Sequence, residues 1–226
     1  MKARWTIVLV ACAVLALGPS TRAYWNETWH WAPGIVPVYL QQGSPGGALI
    51  DGSPDWDSVT EGVLATWNTV LNGVVLKPIR DPDVPAGIPS DANNVIWSND
   101  VYGDPFGEGI LAITLSMYQT SDNALVEADV IFNGNVKWNS YRGNVRREAG
   151  GATLNDLRRV ALHEFGHFVG LGHPDDHDQT VVAVMNSHIG DIDTLQDDDV
   201  KGVTSIYGPI MSANTLDPAS HPRSTH

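Results

Sequence analysis

Cysteine is almost missing from this sequence: Cys12 is the single thiol in 226 residues. One cysteine cannot make an internal disulfide, a thiolate zinc cluster or a CxxC redox pair, so a bound metal has to be held by imidazoles and carboxylates. Basic residues are also scarce, 13 Lys and Arg against 26 Asp and Glu, for a formal net charge of −13. That balance excludes a nucleic-acid-binding surface, because phosphate contacts need clustered cations. No apolar run approaches the roughly 20 residues of a membrane-spanning helix, and no Gly-x-Ser-x-Gly elbow supports a serine nucleophile. What the chain does have is 42% hydrophobic residues with only 17% charged, enough for a buried core and too little charge for wholesale disorder.

The longest apolar run, Trp5 to Leu17, follows Lys2 and Arg4 and is broken by Pro19 before Thr21-Arg22-Ala23. This is the layout of a secretory signal peptide over 1–23. Its removal takes Cys12 with it and leaves a thiol-free, more acidic chain, expected to be secreted. Leu9-Val10-Ala11-Cys12 has the form of a lipobox, but its position in the middle of the apolar run favours ordinary cleavage over lipid anchoring. A catalytic domain is expected over 24–208 and a polar, Pro-containing tail over 209–226.

Between these ends, periodicity and turn residues predict strands at 35–42, 74–79, 94–98, 110–117 and 127–132. Helices are predicted at 55–71, 155–169 and 197–206, the second opening on a capping box at Thr153-Leu154-Asn155-Asp156. No internal repeat is present. The order strand, helix, strands, helix, helix makes one α+β domain.

The chemistry concentrates in His163-Glu164-Phe165-Gly166-His167-Phe168-Val169-Gly170-Leu171-Gly172-His173. On a helix of 3.6 residues per turn, positions 163 and 167 lie about 40° apart, so two imidazoles reach one ion without bending the backbone. Leu157, Ala161, Phe165 and Phe168 fall on the other side, giving the helix a core face and a histidine face. Gly170 can take the left-handed conformation that ends a helix, after which the chain can return His173 as a third ligand. Three neutral imidazoles leave the fourth position of a zinc ion open for water, a catalytic arrangement. Glu164, beside the first ligand, is placed to take that water's proton.

The HExxHxxGxxH pattern resembles that of the metzincin metalloproteases, whose motif is followed by a methionine turn. Met185, twelve residues after His173, is the methionine the resemblance implies, a hydrophobic floor and not a ligand. The closer resemblance is to matrixin-like proteases. Glu127 to Phe132 with Trp138 is similar to that family's last strand, and Leu195 to Val200 with Ile206-Tyr207-Gly208 is similar to its C-terminal helix. The implied fold is an α+β metzincin-type twisted mixed sheet with two long helices, one carrying the active site, and a C-terminal subdomain with a final helix.

The implied activity is zinc-dependent endopeptidase action on polypeptide substrates. Leu111, Ala112 and Ile113 would form a substrate-pairing edge, and Asn186, Ser187 and His188 the wall of a specificity pocket. Several departures from the family accompany the match. No cysteine remains for a propeptide switch, and the absence of histidine from 32 to 162 removes the family's second zinc site. Asn133-Gly134-Asn135 weakens its calcium run, leaving Asp100, Asp104 and Glu108 as alternative Ca2+ ligands or a solvated acidic turn. A monomer is expected. The competing reading is a secreted or lipid-anchored zinc-binding or adhesion module of the same fold that lacks turnover.

Overall fold

The structure is a computed structural model that describes residues 5–9 and 24–210. Cys12 and nearly all of the expected tail lie outside these residues. The frame is a six-stranded mixed sheet in the order β1-β6-β7-β5-β3-β4. Its strands are β1 (Trp5–Leu9), β3 (Gly34–Leu40), β4 (Val74–Arg80), β5 (Asn94–Ser98), β6 (Ala112–Gln119) and β7 (Leu125–Asn133). Strands β4, β3, β5 and β7 run parallel, and β6 returns antiparallel to β7. Two-residue strands β2 (Trp25–Asn26) and β10 (Leu171–Gly172) pair with each other, as do β8 (Trp138–Asn139) and β9 (Asn155–Asp156). Three helices complete the fold: α1 (Trp56–Asn68), α2 (Leu157–Phe168) and α3 (Asp197–Tyr207).

Residues 5–9 fall inside the expected signal peptide, and here they form β1 along β6, with Trp5 opposite Gln119 and Leu9 opposite Leu115. The pairing stops there. Among the described residues, Ala112, Ile113 and Thr114 are paired only with β7.

The alternation of β3 buries Val36, Val38 and Leu40 on one face. Helix α1 lies against the sheet because Val59, Val63, Leu64 and Trp67 share one side, and its N-cap Asp55 accepts from the Ser58 N–H at 2.7 Å. Helix α2 is central: every residue but Arg158 is buried, so the expected division into core and cleft faces becomes a division between two buried environments. Trp67 Nε1 donates to Leu162 O at 3.1 Å and Trp31 Nε1 to Phe168 O at 2.8 Å, tying α2 to both neighbours. Leu157, Phe165 and Phe168 are fully buried, each worth about 1.5–3 kcal/mol of burial. Trp29 and Trp31 join this core, whereas Trp25 stacks on His177.

The start of α2 corrects the sequence expectation. Residues 155–156 pair as β9, and the N-cap Asp156 makes no side-chain capping bond. Its carboxylate instead accepts from the Tyr141 N–H and lies 3.6 Å from the buried Arg159 guanidinium. The tertiary demand of a buried arginine outcompetes the local cap. The capping box occurs at α3, where Gln196 and Asp199 cap each other.

Two carboxylates are buried on β7. Glu127 accepts from the Ser90 and Asp91 N–H groups, and Asp129 from the Asn94 N–H and the Tyr102 hydroxyl. Burial, with Glu127 nearby, pushes the Asp129 carboxyl up to about 7. A folded-state pKa above the ordinary 3.8 means that the folded protein binds the extra proton. Asp129 therefore stabilises most below pH 4 and loses that contribution as pH rises to 7. Thermal unfolding followed from pH 5 to 8 should show a decline that Asp129→Asn flattens, an effect of up to about 3 kcal/mol over that range. An identical slope in the variant would contradict it.

Candidate metal centre

Three imidazoles converge at the C-terminal half of α2. The Nε2 atoms of His163, His167 and His173 lie 3.0, 3.1 and 2.9 Å from one another. Among the described residues this is the single grouping of three or more His, Cys, Asp or Glu side chains within ligand reach. His163 and His167 are one turn apart on α2, as their spacing requires. His173 arrives through a turn at Gly170, whose φ of +95° favours glycine. A Cβ there would also meet Trp29 O at 2.7 Å. The next residues pair with β2, Leu171 opposite Asn26 and Gly172 opposite Trp25, and deliver His173 to the other two.

The far nitrogen of each ring settles what the near ones can be. His163 Nδ1 lies 2.8 Å from Val184 O, and His167 Nδ1 lies 2.8 Å from Leu171 O. Carbonyl oxygens only accept, so both Nδ1 atoms carry protons. His173 Nδ1 faces Asp176 Oδ2 at 2.9 Å, which assigns it a proton as well. With the proton on Nδ1, a neutral ring turns a bare Nε2 lone pair toward the point the three share. That arrangement repels itself unless a cation sits there. Tetrahedral Zn–N bonds of 2.0–2.1 Å would put the nitrogens roughly 3.3 Å apart, so the observed set fits zinc with little adjustment. Burial holds His167 well below, and His173 below, the usual imidazole range, keeping both neutral as ligands must be.

Glu164 lines the same cleft and is only 6% exposed. Burial pushes its carboxyl up, while His163 and a hydrogen bond from Thr114 pull it down. Thr114 Oγ1 lies 2.7 Å from Glu164 Oε2 and 3.0 Å from Glu164 O, so β6 grips the carboxylate directly. Met185 is buried against α2 at Gly166, where a Cβ would stand 2.0 Å from the methionine sulfur. The backbone of this turn is fixed by Asp199 of α3, which accepts from the Val184 and Met185 N–H groups at 3.0 and 3.2 Å. Asp199 thus reaches His163 through the Val184 peptide.

The cleft has a volume of about 600 Å³. The structure brings Leu111, Ala112, Ile113, Ser187 and His188 to its lining, together with Glu164 and the three histidines. Asn186 does not line this cleft: its Nδ2 donates to Val181 O, and it borders a polar hollow with Asp175 and Asp178 and, with His188, the wall of a second cavity. A smaller cavity of about 160 Å³ lies between α2 and the loop after Met185, with Arg159, Val184, His188 and Ile192 in its wall. Arg159 closes one side by donating to Gly190 O and Gly143 O. Asp100 is used locally, accepting from the Gly103 N–H at 2.8 Å, and is not grouped with Asp104 and Glu108. His177 is half-buried and stacks on Trp25 at 3.4 Å between ring centroids.

Sequence reasoning missed Thr114, Asp176, Asp199 and Arg159. Asp176 left a legible trace, a carboxylate three residues after a ligand histidine. Thr114 left none, because its partner is 50 positions away.

A helix bearing two of three convergent imidazoles, a glycine exit and a methionine packed beneath defines the metzincin class. Residues 100–208 match the Peptidase_M10 family model, described as Matrixin. The chain is 30% identical over 107 residues to Metalloendoproteinase 5-MMP of Arabidopsis thaliana, covering 47% of this chain and 28% of that protein. It is 42% identical over 66 residues to interstitial collagenase of Equus caballus, 28% of this chain and 13% of that one. With Matrix metalloproteinase-16 of Rattus norvegicus it shares 40% over 55 residues, 24% and 9% of the two chains. The matched segments span less than a third of these relatives' length. Over residues 100–208 the chain is matrixin-like.

Proposed function

We propose that this chain is a secreted zinc endopeptidase that hydrolyses peptide bonds with Glu164 as general base. The observation that carries the reading is the set of three Nε2 atoms facing one another beside a buried carboxylate. His163, His167 and His173 would hold the metal. A zinc ion bound there would polarise the scissile carbonyl and lower the pKa of water from 15.7 to about 7.

The remaining work falls to the protein. Glu164 takes the proton of the attacking water and passes it to the leaving amine. Burial raises the Glu164 carboxyl pKa, the direction that helps it hold a proton taken from water. Thr114 keeps one carboxylate oxygen turned toward β6, so the other is presented to the cleft. A substrate strand would lie along the unpaired edge of Ala112 to Thr114, taking main-chain hydrogen bonds as in other strand-addition complexes. Ser187 and His188 would flank it from the opposite wall. The apolar leader supports export, and no described helix is long and apolar enough to cross a membrane.

Metal analysis of the purified chain should return one zinc per molecule, and none would contradict the reading. Thr114→Val removes a hydrogen bond to a charged group, worth about 1.5–3 kcal/mol. It should lower kcat roughly 10–100-fold while KM and zinc content stay put. An unchanged kcat would remove Thr114 from the machinery.

A further inference from the structure

The three imidazoles are not held alike. His163 and His167 sit on α2, and their Nδ1–H groups go to neutral backbone carbonyls of Val184 and Leu171. His173 lies outside the helix, and its Nδ1–H goes to a carboxylate, Asp176 Oδ2 at 2.9 Å. Its side chain is 12% exposed. The ring outside the helix therefore has the strongest orienting partner, since a hydrogen bond to an ionised acceptor is about twice as strong as a neutral one.

The carboxylate is itself held in place. It belongs to the 3-10 turn Asp175–His177, which is fastened on two sides. Asp175 accepts from the Ser187 N–H at 2.8 Å and hydroxyl at 2.7 Å, binding the turn to the segment after Met185. His177 stacks on Trp25 at an interplanar angle of 14°, binding it to β2. The Gln179 N–H closes the turn on Pro174 O at 3.1 Å. Asp176 sits between these fastenings, facing the ring three residues earlier.

We propose that Asp176 is a positioning residue of the metal centre, fixing the tautomer and orientation of His173 so that the third ligand stays engaged. The proposal rests on the zinc reading above. Carboxylate partners of ligand histidines commonly contribute 10–100-fold in metal affinity, and the same range is expected here.

The test is zinc affinity of the full chain, measured by competition with a chromophoric chelator, for the wild type and for Asp176→Asn. The variant should bind zinc about 10–100-fold more weakly. Asp178→Asn, in the same acidic loop but on no ligand, should match the wild type. The decisive arm repeats Asp176→Asn in a His173→Ala background and reads thermal unfolding of the metal-free chains, which needs no retained zinc. A residue that acts through His173 has no stability left to lose in that background, whereas a merely structural role destabilises the chain in both. Asp176 is 32% exposed, and Asp176→Ser serves as a second variant should the first fail to fold. Affinity within about twofold of wild type, or an equal loss of stability in both backgrounds, would overturn the role of Asp176. A wild type that holds no zinc would overturn the zinc reading itself.

Discussion

Glu164→Gln should leave one zinc bound and reduce peptide hydrolysis by about 10³-fold, some 4 kcal/mol of transition-state stabilisation. Glutamine preserves the volume of a side chain that is 6% exposed, and its amide oxygen can still accept from Thr114. What it cannot do is take a proton from water. The three imidazoles, the Met185 turn and the Asp199 bonds beneath it are untouched, so folding and metal content stay at wild-type values. Zinc analysis alongside steady-state cleavage of an unstructured protein such as casein separates the two effects. Undiminished cleavage with zinc in place would remove Glu164 from the mechanism. A zinc-loaded wild type that cleaves no unfolded substrate would favour a binding module over an enzyme.

His167→Ala should cost more still, because it removes the metal along with the reaction. Losing an outer partner of a ligand costs about 10–100-fold in affinity, and losing a ligand from a three-ligand set must exceed that. His167 is buried at the centre of the set, within 3.1 Å of both other Nε2 atoms. Two imidazoles cannot retain the ion through dialysis, so zinc content should fall to background and cleavage with it. The substitution also opens a cavity beside Leu171, and some loss of thermal stability accompanies it. Full zinc occupancy in this variant would show that the ion sits elsewhere.

How much of this was legible in the sequence depends on the range of the forces involved. The helix carrying His163 and His167 was readable because its periodicity and ligand spacing are local, and Gly170 marked its end through a conformation glycine alone adopts easily. The strands at 94–98 and 74–80 followed from alternation and turn residues. The start of α2 was misread because Asp156 answers to Arg159 and Tyr141, contacts that a local capping rule does not contain. The same holds at the site. Thr114 and Asp199 act on the centre from 50 and 14 positions away, across a sheet edge and a helix start, and no spacing announces them. Asn186, expected in the pocket wall by its place after Met185, has its amide bonded to Val181 O and shares the wall of the smaller cavity with His188, while Ser187 and His188 face the cleft.

The most direct measurement is cleavage of casein by the zinc-loaded chain before and after removal of the metal with a chelator, and again after zinc is restored. Cleavage should stop on chelation and return with zinc. Cleavage that continues after the metal has been stripped would contradict a mechanism built on His163, His167 and His173.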